Sequence, residues 1–162
     1  MSDYYTEQLV KKKTTGKDLA IKAVLIFFTA VSVFILLLMP FLLIVPVIMI
    51  AVDYFVFRRL DLEYEYLYVN GDLDIDKIMA KQKRKRVFSM NVSELEILAP
   101  QGAGELNQYN NAKVMDFSSH MPDAKCYVMV VSNNGQLAKV IFEPEKEILE
   151  GMKMLAPRKV IF

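Results

Sequence analysis

The sequence predicts two parts: a membrane hairpin of two α-helices, then an α+β, mainly-β soluble domain. The domain is expected as an antiparallel sheet or open barrel of about six strands, capped by a C-terminal helix. Three observations predict this. Of the 39 residues in 19–57, 33 are apolar, whereas the remainder has the ordinary composition of a water-soluble domain. Residues 62–142 alternate apolar and polar positions between turn signals, the period of strands. Beyond residue 143 the apolar positions change to helical spacing. A chain of 162 residues has room for one ordinary domain beside the hairpin.

Residues 1–18 are polar and basic and read as a cytosolic N-terminal segment. The apolar block, 19–59, follows. Residues 23–52 carry no charge over 30 positions. As one helix they would extend about 45 Å, against a hydrocarbon core of about 30 Å. One span would need a tilt of about 48°, beyond the usual range of about 0–40°. Two helices fit better. Pro40 suits the first turn of a second helix, where its missing N–H is unpaired in any case. The expected hairpin is 19–37, a turn at Leu38-Met39, and 40–59, with Pro46 kinking the second helix. Lys11, Lys12, Lys13, Lys17 and Lys22 precede the block and Arg58 and Arg59 close it. Basic residues at both ends place both ends on the cytoplasmic side of a cell membrane; one long tilted helix is the alternative. The block is too long for the apolar core of a signal peptide.

Asp53 is the one acid within the block. With the turn at 38–39, Lys22 and Asp53 fall at similar heights on antiparallel helices, so an intramembrane Lys22–Asp53 pair is expected. Snorkelling of either side chain is the alternative.

The soluble domain, 60–162, begins with an alternating run, 62–69, rich in tyrosine. Asn70-Gly71 is a strong hairpin signal, and 72–79 alternates again. A two-residue turn sets Tyr68 opposite Leu73, Tyr66 opposite Ile75 and Leu62 opposite Met79. One face then carries Leu62, Tyr64, Tyr66, Tyr68, Leu73, Ile75 and Met79, the expected core. The other carries Glu63, Glu65, Asp72, Asp74 and Asp76. Residues 86–90 predict a third strand, 93–98 a strand or short helical turn ended by Ala99-Pro100, and 101–111 a polar loop. Residues 113–118 predict another strand. Residues 125–131 and 136–142 flank Asn133-Asn134-Gly135 and predict a second hairpin. Glu143-Pro144-Glu145 opens the last helix, with acids at the positive end of its dipole. Ile148, Leu149, Met152 and Leu155 form its apolar stripe, and Pro157 follows it.

Antiparallel strands followed by one amphipathic helix are the element order of a pleckstrin-homology (PH)-like domain. The chain also carries Glu7-Gln-Leu-Val-Lys11 in a basic N-terminus, a two-helix hairpin, Val69-Asn-Gly-Asp-Leu-Asp-Ile-Asp76 and a basic hairpin. Ile97-Leu-Ala-Pro100 and Phe142-Glu-Pro144 before a last helix complete the set. In these it resembles a family of small bacterial membrane proteins with a PH-like cytosolic domain. The resemblance covers nearly the whole chain and implies architecture; it brings no assigned activity.

The residues offer little for catalysis. One cysteine excludes an internal disulfide and a four-thiolate zinc site. Asp72, Asp74 and Asp76 fail the calcium-loop pattern, because Lys77 and Lys83 stand where Gly and Glu are required. His120 with Ser118, Ser119 and Cys126 shows no orienting acid. Gly102-Ala-Gly104 lacks the rest of a phosphate loop. The sequence thus implies no cofactor, no metal and no enzyme.

Lys81, Lys83, Arg84, Lys85 and Arg86 are the most pointed feature. Residues 60–162 carry 13 basic and 15 acidic groups, a net of −2, so bulk charge does not point to nucleic acid. The geometry points to lipid. The first strand leaves the membrane after Arg59, and Asn70-Gly71 sends the chain back. The basic turn is therefore expected at the level of residues 60–62, beside anionic headgroups, where each such charge contributes about 1 kcal/mol. Its other reading is a solvated turn whose charges answer the acids of the neighbouring strand. The expected function is a membrane-anchored, non-enzymatic binding or scaffold module whose partners are membrane lipids. The alternative is a small accessory subunit of a larger transporter or envelope complex, with a membrane-protein partner.

Overall fold

The computed structural model describes residues 4–133 and 135–162. Its elements are strand β1 (Tyr5–Lys11), helices α1 (Gly16–Leu38) and α2 (Ile44–Leu60), then strands β2 (Leu62–Val69), β3 (Asp72–Met79), β4 (Lys83–Asn91), β5 (Leu95–Pro100), β6 (Lys113–Asp116), β7 (Tyr127–Asn133) and β8 (Gln136–Phe142), and helix α3 (Lys146–Leu155). Eight strands form two four-stranded sheets, ordered β1-β2-β3-β4 and β5-β7-β8-β6. All pairs are antiparallel except β6 with β8, which run parallel at the edge of the second sheet.

β1 was not anticipated. Tyr5–Lys11, read from the sequence as part of a polar N-terminal segment, pairs along its whole length with β2, from Tyr5 opposite Val69 to Lys11 opposite Glu63. Its inward positions are only partly apolar. Val10 is buried, but Gln8 also faces inward and bonds the Glu143 carbonyl at 2.6 Å and the Glu145 N–H at 2.7 Å. The edge strand thereby ties to the start of α3. The apolar hairpin is an excursion between two neighbouring strands.

α1 starts in a capping box: the Thr15 hydroxyl accepts the Asp18 N–H and the Asp18 carboxylate accepts the Thr15 N–H. It ends at Leu38, as expected. Pro40 opens a short 3-10 turn, Pro40–Leu42, before α2 begins at Ile44. Pro46 lies in the first turn of α2, where helix N–H groups have no internal partner, so it costs α2 no hydrogen bond and does not kink its middle. α1 and the stretch Pro40–Leu60, the 3-10 turn together with α2, are each long and apolar enough to cross a membrane. They pack on each other and on little else: Ser32 is the buried residue of α1 and Pro46 that of α2.

In the first sheet the register matches the expectation, with Tyr68 opposite Leu73, Tyr66 opposite Ile75 and Leu62 opposite Met79. Asn70 (φ 49°) and Gly71 (φ 102°) form the left-handed turn that this dipeptide favours. The core lies between the sheets. Tyr66, Tyr68, Leu73 and Ile75 meet Leu98, Met129, Val140 and Phe142, and Ile148 and Met152 of α3 close one end. The Tyr66 hydroxyl, deep in this core, donates to the Phe117 carbonyl at 2.8 Å and accepts the Glu143 N–H at 3.3 Å. Gly151 lets α3 lie against Tyr4 and Tyr68; a Cβ there would stand 2.5 Å from Tyr68 and 2.6 Å from Tyr4.

Smaller departures have local causes. Residues 92–94 form a 3-10 turn before β5, so that region is both strand and turn. The loop 101–111 contains a 3-10 segment, Gly104–Tyr109, whose Leu106 covers the outer apolar face of the second sheet. Asn133 pairs with Gln136 across the second hairpin; Asn134 of its turn lies outside the described residues, as do 1–3 of the N-terminal segment. Pro144 stands one residue before Glu145, the N-cap of α3.

Candidate functional site

Backbone hydrogen bonds gather four segments at the end of the domain from which the helices leave. The Lys12 N–H donates to the Leu62 carbonyl at 3.0 Å, and the Lys13 N–H to Ser119 at 2.8 Å. The Ala80 N–H donates to the Asp61 carbonyl at 2.9 Å. Arg58, in the last turn of α2, donates to the Gln82 side chain at 2.6 Å. The basic turn after β3 thus lies beside the end of α2, at the height expected from strand lengths. It is a tight turn, Gln82 bonding back to Met79 at 3.1 Å. Its central residues are Ala80 (φ 48°) and Lys81 (φ 56°). Two side chains there occupy a backbone region that disfavours them, and the bonds to Asp61 and Arg58 hold the turn in place.

The five predicted residues do not act alike. Arg84 pairs with Glu65 at 2.6 Å and approaches Asp76 at 4.0 Å; Arg86 pairs with Asp74 at 2.8 Å and Asp76 at 3.6 Å. Those two answer the acids of the neighbouring strands. Lys81, Lys83 and Lys85 are exposed and make no ion pair among the described residues. A bulge divides the cluster. Ile75 pairs with Phe88 but Asp76 pairs with Arg86, so Val87 is an extra residue in β4. Because side chains alternate faces, the insertion turns Arg84 and Arg86 to the acidic face. It leaves Lys83 and Lys85 on the other, opposite Met79 and Lys77.

On the acidic face Glu65 is buried beneath the Arg84 guanidinium. Burial pushes its carboxyl above the ordinary range, a hydrogen bond with Glu7 adds to this, and Arg84 opposes it. Glu7 is held below its ordinary range by the Tyr5 hydroxyl, at 2.7 Å, and by the Glu65 hydrogen bond. The opposite directions of the two neighbouring carboxyls reflect their closeness on one crowded face.

Lys22 and Asp53 are not brought together as expected. Asp53 Oδ2 accepts the Thr29 hydroxyl at 2.7 Å, while Lys22 Nζ lies over the Phe57 ring, 5.9 Å from its centroid. The cause is the 3-10 turn at Pro40–Leu42. It moves the centre of the hairpin from 38–39 to about residue 41, so Thr29 faces Asp53 and Lys22 lies about two turns nearer the helix ends.

Around His120 the structure adds an acid that the spacing did not reveal. The buried Ser118 hydroxyl is 2.7 Å from Asp116 Oδ1 and 2.7 Å from His120 Nδ1. The same carboxylate takes the Ser118 N–H at 2.9 Å, and the Ser119 N–H donates to Glu143. The Ser119 bonds, its N–H to Glu143 and its carbonyl from the Lys13 N–H, fasten the loop after β6 to the segments that follow β8 and β1. The Cys126 thiol is pushed up, chiefly by burial and then by the Glu143 carboxylate, the wrong direction for a nucleophile. Among the described residues no three His, Cys, Asp or Glu side chains are placed to hold a metal ion.

Sequence reasoning missed the role of Arg58 and Arg59. In the sequence they mark only the charged flank of a span; in the structure they form one wall of a cleft with Lys83. Their adjacency to the apolar block and the strand lengths that return the basic turn to that level were the signals; the bond itself, from Arg58 to Gln82 of the turn, is a contact between elements that no local pattern reports.

Two sheets around one core, closed by a C-terminal helix, with an apolar helical hairpin set between the first two strands, define a PH-like domain with a built-in pair of helices. The family described as Bacterial PH-like domain (DUF6106) matches residues 2–162, and the chain belongs to it. No curated protein and no solved structure matches the chain.

Proposed function

We propose that the chain is a membrane-anchored, non-enzymatic binding module. Its helical hairpin spans the cell membrane with both termini on the cytoplasmic side, and its PH-like domain rests against the anionic inner leaflet through the basic turn. The observation that carries this reading is the pair of bonds that fix the turn to the helix end, Ala80 to Asp61 and Arg58 to Gln82. They set Lys81, Lys83 and Lys85, none with an ion-pair partner among the described residues, at the level where α2 ends. The bare apolar surface of both helices supports the span. A half-buried thiol whose proton burial holds more tightly, and a Ser118 hydroxyl tied to Asp116 two residues before it, support a non-enzymatic role.

Amine labelling of the full chain in nanodiscs tests the leaflet contact. With anionic lipid, Lys81, Lys83 and Lys85 should be protected relative to Lys146 on α3, and protection should fade as salt shortens the Debye length from about 10 Å at 0.1 M to about 3 Å at 1 M. Equal labelling in anionic and neutral discs rejects it. Reporter fusions at the two termini test the topology; opposite sides would reject the hairpin. The bare helix faces also support the second reading, an accessory subunit of a larger membrane complex. Exchange of residues 16–60 for an unrelated two-helix anchor separates the two: a subunit loses its role and a leaflet-bound module keeps it.

A further inference from the structure

Between the end of α2 and the turn after β3 lies a cleft of about 420 Å³, within the range of small-ligand sites, about 300–1,000 Å³. Its walls are Phe55, Arg58 and Arg59 of α2, Met79 of β3 and Lys83 of β4. Three cations and two apolar side chains meet there with no acid among them. Clustered like charges repel unless an anion joins them. On the acidic face of this sheet the cations are answered: Arg84 and Arg86 have Glu65, Asp74 and Asp76. In the cleft they are not. Arg58 is held in place by the Tyr54 hydroxyl at 2.8 Å, the Tyr54 ring at 5.2 Å and Gln82 at 2.6 Å. Arg59 and Lys83 have no ion-pair partner among the described residues, and the bulge in β4 turns Lys83 away from the acidic face.

We propose that this cleft binds the phosphate of an anionic membrane phospholipid. Arg59 and Lys83 contact the phosphate oxygens, Arg58 supplies a third charge in fixed position, and Phe55 and Met79 flank the glycerol and the first acyl carbons. The proposal rests on the reading that the end of α2 lies at the membrane surface. Two features select a lipid. Phe55 is 64% exposed and continues the apolar surface of α2, which a free phosphate cannot use. A choline or ethanolamine headgroup would add an ammonium to three cations with no carboxylate to receive it.

Native mass spectrometry of the full chain in neutral detergent tests the site with three probes: phosphatidylglycerol, phosphatidylcholine and inorganic phosphate. Wild-type protein should retain phosphatidylglycerol and not phosphatidylcholine. Arg59→Gln with Lys83→Gln should lower retention by about tenfold or more, and Phe55→Ser should lower it with no change of charge. Lys81→Gln with Lys85→Gln should leave it intact. All these positions are exposed, and unchanged thermal melts would show that the variants fold. No retention by wild type, equal retention of both lipids, or equal retention by the Arg59/Lys83 variant overturns the proposal. Displacement of the lipid by millimolar phosphate would also overturn it, marking a free-phosphate site. If Lys81 and Lys85 are protected in anionic nanodiscs while no lipid is retained, the cleft fails and the leaflet contact stands. If neither is seen, both fail.

Discussion

The backbone N–H of Lys12 donates to the carbonyl of Leu62 at 3.0 Å. One hydrogen bond therefore closes the base of the helical hairpin, and β1 is as much a part of the sheet as β2.

The first expectation follows from that closure. Adjacent strands lie about 4.8 Å apart, so a linker of about four Gly and Ser residues in place of 16–60 should leave the domain folded. Its thermal melt should be cooperative and its amide spectrum well dispersed. Deletion of residues 1–59 removes β1, uncovers the edge of β2 and strips Gln8 from α3. That variant should melt at lower temperature or aggregate. Equal melts of the two would show that β1 contributes nothing.

Thr29 should matter more than Lys22 to the hairpin. Thr29→Val leaves neither Asp53 oxygen with a partner, since Oδ1 already has none. The expected loss is about 1–2 kcal/mol by denaturant titration in detergent. Asp53→Leu should cost less, because no buried carboxylate remains. Lys22→Gln should cost least; if it costs most, a Lys22–Asp53 pair exists after all.

Gly151→Ala should destabilise the domain by about 1–3 kcal/mol, through overpacking against Tyr4 and Tyr68. Tyr4→Ala in the same chain should recover part of that loss, because it removes one of the two rings. A melt unchanged by Gly151→Ala would mean that α3 shifts freely, contrary to its fit on the core.

Alkaline pH should destabilise the fold through Tyr68. Burial first, with Tyr4 and Asp72 adding to it, pushes its hydroxyl up to about 12 from 10.0. A group with a raised folded value lends stability that is complete below its unfolded value. That stability is lost as pH rises from about 10 towards 12. Stability measured against pH, with tyrosinate absorbance followed in parallel, should fall across that window. Tyr68→Phe should make the fall shallower, the remainder belonging to Tyr66, whose hydroxyl burial pushes up further still; an identical slope in the variant would assign all of it to other groups.

The sequence made legible whatever depends on neighbours in the chain. Asn70-Gly71 fixed a register in which Tyr66 faces Ile75, and the apolar block showed its two helices. The departures came from contacts distant in sequence. β1 stayed hidden because Gln8, a polar residue, points inward and finds its partners at Glu143 and Glu145 of another element. The 3-10 turn at Pro40–Leu42 exchanged Lys22 for Thr29 as the partner of Asp53, a shift of a few residues that apolarity alone cannot report. The extra Val87 in β4 divided a run of basic residues between two faces, and no local pattern announces a bulge. The cleft needed both the bulge and the end of α2, so it could not be read until they were placed together.

The closure at Lys12 and Leu62 has a mechanical consequence. A domain on one helical stalk swivels about that stalk; a domain whose two stalks enter adjacent strands cannot turn without twisting its own sheet. Spreading the stalks apart would load the β1–β2 ladder from one end, opening it like a zipper. Pulling both together would load the sheet evenly. The same anchorage would therefore resist lift and yield to sideways strain, and a partner able to part the two helices would hold a lever on the edge of the sheet.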